Sequence, residues 1–467
     1  MNKILHYTIE HSPLRNILID AAELKIKKIF KVDHVEKIKI SYSKIPTLKL
    51  IFFLITNILN LKIFNERNYV LLRYKSFEIG RYAASYTYRN NKVFSSKFLK
   101  VYLMIKNILI AGLVIENALK IVDMSTAIYI DHVGYLNGLY INIFSSKKKI
   151  IFFHGYPRGF SFINYGIAKN RKVNDSTIII ARPPKKKINK NSIKMCKKKI
   201  NNIIKAPKKQ LDYMRYTQYS KKQLKKLDSI NFKNVDYLVY AHSFVDGQLF
   251  FGYDGFTNLH DWLDFTIKKL IKLNKNVIIK SHPNFYNKIL GNLAVEDSKI
   301  FESFKKKYES KKIRFIDIAV ENNLILKKIP KNTIVLSHHG TAILETTFLG
   351  FKSISSYAAM WSKEFQISNQ FSNIKEYERL LETSFSDLRL YKSKNLFFNL
   401  IFQMYFNVYA VYKKKHFYTI IKKISKHRGI TPKKYKTNAD TIMKYVDRKF
   451  FSKITKEISE NIEEILI

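Results

Sequence analysis

Short apolar runs alternate with stretches of helical periodicity along most of this chain, the pattern of an α/β layer fold. In the first half, Tyr69–Arg73, Thr126–Asp131 and Ile150–His154 have the length of buried parallel strands. The helical stretch KVYLMIKNILIAGLVIENALKIV lies between the first two. In the second half, strands are predicted at Val235–Ala241, Val277–Ser281, Ile313–Ile316 and Thr333–Ser337, with helices over Asn258–Leu273 and Thr341–Leu349. From Lys185 to Asn234 the sequence turns Lys-rich and weakly periodic, which predicts a helical or irregular connection rather than a core. An α-rich stretch from about Lys392 closes the chain. The expected architecture is two α/β lobes with a cleft between them. The lobes span 1–184 and 235–390, joined by 185–234 and followed by a helical extension over 391–467.

Two stretches are apolar enough to raise the question of a membrane. Leu50–Leu61 is bounded by Lys49 and Lys62 and interrupted by Thr56, Asn57 and Asn60. A spanning helix needs about 20 apolar residues, so this one is too short. Leu396–Tyr412 runs into Lys413, Lys414 and Lys415, and its Asn399, Gln403 and Asn407 draw one polar stripe down a helix. That pattern fits a helix packed on a domain, and alternatively one lying in a membrane interface. The N-terminal run MNKILHYTIEHSPLRN brings charges and histidines too early for a signal-peptide core.

Composition narrows the class. With 467 residues and 46% hydrophobic content, a sizeable core is available and global disorder is excluded. The net charge is +48, but of the 84 basic residues 14 are Arg and 70 are Lys. Lys, Ile, Asn, Tyr and Phe share AT-rich codons, so a genome of low GC content produces this balance without selection for a polyanion. Readers of phosphates and bases favour the bidentate Arg fork, so no specific nucleic-acid partner is expected. An anionic membrane surface needs only point charges, which Lys supplies. The single cysteine, Cys196, excludes an intrachain disulfide and a Cys-cluster metal site, and it suits a reducing, cytoplasmic location.

Candidate chemistry gathers where predicted strands end. In NVIIKSHPNF the strand stops at Ser281, His282 and Pro283, and ligands of open α/β sheets bind outside the carboxyl ends of strands. An imidazole there can donate to a phosphate oxygen or protonate a leaving group; the plain alternative is a surface His in a turn. About fifty residues on, TIVLSHHGTAILETTFLGFKSI repeats the strand-turn-helix plan, with Ser337, His338, His339 and Gly340 at the turn and Thr341 placed to cap the helix. The positive end of that helix can receive an anion. Glu345 lies one turn along, where a carboxylate can take two ribose hydroxyls. Adjacent His338 and His339 diverge and find no third ligand at suitable spacing, so no metal site is expected. A third run, YLVYAHSFVDGQLFFGYDGFTNLHDWLDF, ends its strand at His242 and Ser243, with Asp246 and Gly247 next and Trp262 on the following helix. Each run alone is explained by loop decoration; three at one edge of one lobe are not.

Together these residues resemble bacterial surface-polysaccharide glycosyltransferases of the GT-B type. A strand ending in Ser-His-Pro, then a strand ending in His-Gly-Thr with a Glu one turn on, carries the likeness. The AHSFVDG and DWL segments resemble the opening of the nucleotide-binding lobe in capsule and lipopolysaccharide members. IKEYERLL, from Ile374 to Leu381, resembles the helix after the donor site. YKSFEIGRYAASYTYR and AIYIDHVGYLNGLYINIF resemble acceptor-side elements, so the likeness covers most of 69–385. It implies two Rossmann-like lobes, a nucleotide-sugar held by the second, a glycan or lipid-linked acceptor at the first, and no divalent metal or other cofactor. By matching position, His282 touches the donor phosphate, Ser337, His339, Gly340 and Thr341 cradle phosphate or nucleotide, and Glu345 binds ribose. His242, Ser243 and Asp246 complete the expected donor side. Kdo- and sialyl-transferase-like members use a CMP-sugar, and related enzymes transfer a polyol phosphate from CDP-glycerol or CDP-ribitol. Ser281 and His338 have no matched counterpart.

An inverting transfer needs a base for the acceptor hydroxyl. Asp131, at the end of STAIYID, is the first candidate, with a helix N-cap as its competing role. Glu78 before Gly80 is the second, and His154 at the end of IIFFH is the third, with contact to the acceptor as its other role. Arg81 and Arg158 are expected to be solvated surface charges, or else to meet an anionic acceptor. The expectation is a metal-independent GT-B glycosyltransferase, peripheral on the cytoplasmic face of the inner membrane, with a CMP-sugar as favoured donor. A CDP-polyol phosphotransferase and a non-catalytic polyanion- or membrane-binding scaffold are the alternatives.

Overall fold

The computed structural model describes residues 4–8, 27, 32–38, 46–130, 134–147, 150–154, 163–165, 188–205, 225, 227–286, 292–318, 320–391 and 394–405. They form two α/β units, each on its own sheet, as the strand and helix pattern predicts. The first unit comprises β1 (Ile4–Thr8), β2 (His34–Ile38), α1 (Leu48–Leu59), α2 (Glu66–Val70), α3 (Ile79–Thr87), α4 (Lys97–Val122), β3 (Ser125–Ile130), α5 (Asn137–Ser146), β4 (Ile150–His154) and β5 (Ile163–Tyr165). Its sheet runs β2-β1-β3-β4-β5, parallel except for the β4–β5 pair.

Helix α4 supplies much of this unit's core. Ser96 caps it by accepting from the Leu99 amide at 3.2 Å, and Met104, Ile108, Ala111, Ile115 and Val122 are buried in the apolar cluster shared with α3 and α5. Helix α4 has 26 residues, and an 18-residue stretch within it has a mean hydropathy of 2.0, so it is long and apolar enough to cross a membrane, yet its buried side builds this core. The strand expected at Tyr69–Arg73 is instead the end of α2 and the turn after it. Asn65 accepts from the Asn68 amide at 3.0 Å and Glu66 sits in the first turn, so local capping starts a helix that carries Tyr69 and Val70 inward.

The second unit comprises α6 (Lys190–Lys205), β6 (Tyr237–Tyr240), α7 (Leu259–Lys272), β7 (Val277–Lys280), α8 (Asn292–Tyr308), β8 (Ile313–Ile316), α9 (Asn322–Leu326), β9 (Ile334–Ser337), α10 (Ala342–Phe348), β10 (Ser353–Ser356), β11 (Asn369–Phe371), α11 (Ile374–Glu382) and α12 (Lys394–Tyr405). All six strands are parallel in the order β11-β10-β9-β6-β7-β8. The chain lays strands to one side of β6 and then to the other, so the gap between the ends of β6 and β9 is a topological switch point. Alternation of side chains separates two cores. Tyr237, Val239, Val277, Ile279 and Leu336 pack with Trp262 on one face, and Leu238, Tyr240, Ile278, Ile316 and Val335 pack on the other.

Two expectations change here. The Lys-rich connection is helical over α6, but it also enters a core: Cys196, Ile200 and Ile204 pack with Ile343 and Leu344 of α10 and with Leu400 and Ile401 of α12. Its lysines lie between those positions on a helix with one apolar stripe. The same packing settles the described part of Leu396–Tyr412, where Phe397, Phe398, Leu400 and Ile401 are buried; residues 406–412 lie outside the described residues. The exposed apolar stripe is on α1 instead. Leu48, Ile51, Phe52, Ile55 and Leu59 recur at helical spacing, with Leu48, Phe52 and Leu59 each more than 70% exposed.

The two units meet at the loop after β6. Arg81, expected to be solvated, is 2% exposed and donates from Nη1 to the Leu249 carbonyl at 2.8 Å and to the Phe250 carbonyl at 3.3 Å. Its Nη2 donates to Tyr82 Oη at 2.7 Å and its Nε to Glu78 Oε2 at 2.9 Å. Beside it, Tyr135 Oη donates to Asp246 Oδ1 at 2.7 Å and its ring meets Phe250 edge-on at 4.7 Å.

Candidate functional site

Three strand ends converge at the switch point of the second sheet. His242 follows β6, His282 follows β7, and His338 and His339 follow β9. The His242 ring stacks on His282 at 5.2 Å and lies 4.0 Å from His339, and His339 is edge-on to Phe251 at 5.6 Å. Gly247 closes the cluster. Its φ of +75° suits glycine, and a Cβ there would come within 3.1 Å of His242 and 3.3 Å of His339 Nε2.

Three of these imidazoles, His242, His282 and His339, are held uncharged. Burial and the neighbouring His338 bring His242 down to about 4. Burial, His242 and Lys280 hold His282 well below the usual histidine range; burial and the three other imidazoles do the same for His339. The tautomer of His282 follows from its neighbour, because Nδ1 accepts the Asn284 amide at 3.2 Å. The neutral ring then carries its proton on Nε2 and is a donor there. Pro283 fixes the backbone between the two residues.

The remaining predicted residues divide by face. Ser337 pairs in register with Tyr240, whose side chain belongs to the core on the other side of the sheet. Glu345 accepts from Asn322 Nδ2 at 3.1 Å and acts electrostatically on Tyr240 and Lys280. Lys280 is 4% exposed; burial brings its ammonium down to about 8, and Glu345 and Glu321 oppose that fall. The buried Tyr240 hydroxyl has no hydrogen-bond partner among the described residues. Gly340 covers Ser337, since a Cβ there would meet Ser337 Oγ at 2.6 Å. Thr341 begins α10, but its side chain makes no capping bond, because φ −65° and ψ −9° already place it in the helical region. The expected cap is therefore absent.

Ser243 and Asp246 serve the loop itself. Ser243 Oγ donates to buried Asp297, which also accepts from the Phe244 and Val245 amides at 2.7 and 3.2 Å. Burial pushes the Asp297 carboxyl up to about 7 despite those bonds. Asp246 takes the Tyr135 hydroxyl and thereby joins the first unit.

On the acceptor side, Glu78 holds Arg81, with Oε2 bonded to both Nε and Nη2. Asp131 and Arg158 lie outside the described residues. His154 is the last residue of β4, and its side chain lies outside the described residues. Among the described residues, no group of three His, Cys, Asp or Glu is arranged to hold a metal ion. Sequence reasoning missed Lys280, Tyr240 and Asp297. A lysine ending an otherwise apolar strand was the available signal for the first.

No protein-family model and no curated protein matches the chain. Among solved structures, the UDP-GlcNAc 2-epimerase of Methanocaldococcus jannaschii in complex with UDP-GlcNAc and UDP is 13% identical, covering 86% of this chain and 99% of its own, with a TM-score of 0.26. A trehalose-6-phosphate synthase studied with bisubstrate glycomimetics is 8% identical over 86% and 94%, at 0.27. The N-terminal domain of Candida albicans trehalose-6-phosphate phosphatase is 10% identical over 100% and 97%, at 0.26. Likenesses of this size carry no argument about activity, which rests on the site described above.

Proposed function

We propose that the chain is a glycosyltransferase of GT-B type that moves a sugar from a nucleotide-activated donor, preferentially a CMP-sugar, onto a growing cell-surface glycan. The observation that carries this reading is the neutral histidine cluster at the switch point, the place where open α/β sheets bind nucleotides. His282 Nε2–H is oriented by Asn284 to donate to a leaving phosphate without first acquiring a charge. Across the rim, Lys280, Tyr240 and Glu345 offer a cation, a hydroxyl and a carboxylate, a set suited to an anionic, polyhydroxylated ligand. Charge neutralisation by these groups and by backbone amides makes the transfer metal-independent. Direct displacement at the anomeric carbon inverts its configuration, with a base from the first unit taking the acceptor proton; Asp131 remains the leading candidate.

The test is CMP release from CMP-sugars with chelator present, using the purified full chain and a membrane fraction that supplies glycan acceptors. Release by wild type, lowered at least tenfold in His282→Ala, is expected from loss of one charge-assisted hydrogen bond, worth roughly 1.5–3 kcal/mol. Release from CDP-glycerol or CDP-ribitol but from no nucleotide-sugar overturns the sugar donor. Activity set by ionic strength alone, and indifferent to His282, overturns the enzyme reading.

The same proposal places the protein on the cytoplasmic face of an anionic membrane, near lipid-linked acceptors. Its attachment face is the α1 stripe of Leu48, Phe52, Ile55 and Leu59, flanked by exposed Lys49 and Lys62. Apolar insertion and lysine attraction act together at such a surface. Replacing Phe52 and Leu59 by Ser lowers partition onto phosphatidylglycerol vesicles at least tenfold, since each buried side chain contributes about 1.5–3 kcal/mol. Equal sedimentation of variant and wild type contradicts it.

A further inference from the structure

Two buried groups beside the histidine cluster have no task in the donor site as described. Asp254, in the loop after β6, is 1% exposed and lies with Oδ2 2.8 Å from His338 Nε2. It also accepts from Ser356 Oγ at the end of β10 and from the Phe256 amide at 3.3 Å. Burial raises its pKa, but His338 and these hydrogen bonds outweigh that and leave the carboxyl below its ordinary value. His338 is held by its backbone as well, since its carbonyl accepts the Ser356 amide at 2.7 Å. Trp262 and Phe371 meet its ring edge-on and bring no charge. The charged or titratable groups around it are therefore Asp254, His339 and His242, with Asp246 acting on His242 and Lys280 on His282 further out.

Donor counting fixes the protons along this line. The ionised Asp254 only accepts, so His338 carries a hydrogen on Nε2. His338 Nδ1 and His339 Nδ1 are 2.7 Å apart, a hydrogen-bond distance that requires one proton between them. With His338 neutral, that proton belongs to His339. A neutral His339 then has a bare Nε2, an acceptor that repels a phosphate oxygen. If His338 takes a proton, both its nitrogens donate, one to Asp254 and one to His339 Nδ1. His339 stays neutral, but its hydrogen is then on Nε2 and available to an anion.

We propose that Asp254 and His338 are positioning residues that switch His339 from acceptor to donor when a phosphate group enters, with one proton taken up from solvent for each phosphate bound. The proton enters at His339 Nε2 while the Nδ1 proton passes to His338 Nδ1, so no bond between heavy atoms forms or breaks. The positive charge rests on His338 against Asp254 rather than on His339 among its neighbouring imidazoles. The inference rests on the donor-site reading for the anion, but the resting tautomers can be measured without any ligand.

The first measurement is a long-range ¹H–¹⁵N correlation on the full chain labelled with ¹⁵N-histidine, at pH 8 and without ligand. His338 as the Nε2–H tautomer and His339 as the Nδ1–H tautomer are expected, with assignments from His338→Gln and His339→Gln. An Nε2–H tautomer at His339 overturns the proposal, whatever the protein binds. The second is calorimetry with inorganic pyrophosphate as probe, in buffers of different ionisation enthalpy. Wild type takes up about one proton per pyrophosphate, so affinity falls by up to about tenfold per pH unit wherever binding carries that uptake. Asp254→Asn abolishes most of that uptake while the His282 tautomer signal stays unchanged. Uptake equal in wild type and Asp254→Asn overturns the proposal. If pyrophosphate does not bind, the anion-site reading fails and the coupled uptake falls with it, while the tautomers still report whether the resting chain is wired as described.

Discussion

The two sides of the second sheet's carboxyl rim handle buried polarity in opposite ways. On the side of Trp262 and Phe371, four imidazoles crowd together, and burial strips the charge from His242, His282 and His339. What remains there is a pattern of donors and acceptors, fixed by Asn284 at one end and by Asp254 at the other. On the side of Tyr240, a lysine buried more deeply still remains charged at neutral pH, because Glu345 and Glu321 oppose the cost of burying it. Direction is supplied by one side and charge by the other. A phosphate-bearing ligand at the switch point needs both, which is why the two sides make separable predictions.

The largest effect is expected on the imidazole side. His282→Ala lowers nucleotide affinity by about 10- to 100-fold, the range for a hydrogen bond to a charged group, while the melting temperature without ligand changes little. Equilibrium dialysis with radiolabelled nucleotide reads it directly. On the other side, Lys280→Met lowers affinity about tenfold, within the span measured for charge-assisted bonds. In wild type the lysine's contribution fades as pH rises through about 8, where the ammonium deprotonates. A pH profile of affinity that is the same in Lys280→Met and wild type removes Lys280 from the site.

Stability without ligand separates the two sides further. A folded pKa of about 8 against an ordinary 10.5 means that, between those values, the unfolded lysine holds a proton the folded one has released. Stability therefore rises with pH across that window, by about 1.4 kcal/mol per unit of separation at most, and Lys280→Met flattens the rise. The imidazoles act at acid pH. Between about 4 and 6.5 an unfolded His242 takes a proton that the folded one refuses, so stability falls as pH drops through that range. His242→Gln makes the acid limb of a denaturant-midpoint profile shallower. An unchanged limb means that His242 is not held neutral.

The same contrast explains what was legible in the sequence. The central strands of the second sheet are short apolar runs that end abruptly in polar residues, so their position and the histidines beyond them could be read directly. β1 could not, although it lies between two other strands of the first sheet. Its inward His6 is 1% exposed and satisfied by Ser125 at 2.8 Å and Glu36 at 3.0 Å, which breaks the apolar run. β10, with the sequence SISS, is hidden for a similar reason, since Ser355 pairs with Ser368 and Ser356 with Asp254. Asp254 sits in FGYDGF, far from His338 in sequence, and only the fold brings them together. Exposure was equally hidden: Leu396–Tyr412 and Leu50–Leu61 have similar composition, but α12 finds α6 and α10 to pack against while one stripe of α1 finds nothing among the described residues.

The central claim is that the switch-point rim is a nucleotide site that works without metal. The most direct measurement is a thermal-shift panel of CMP, CDP, UMP, UDP, GDP and ADP with chelator present, on wild type and His282→Ala. At 100 times its dissociation constant a ligand stabilises the fold by about 2.7 kcal/mol. The account predicts such a shift with CMP foremost, lost in His282→Ala. No shift with any nucleotide, or a shift that His282→Ala retains in full, contradicts it.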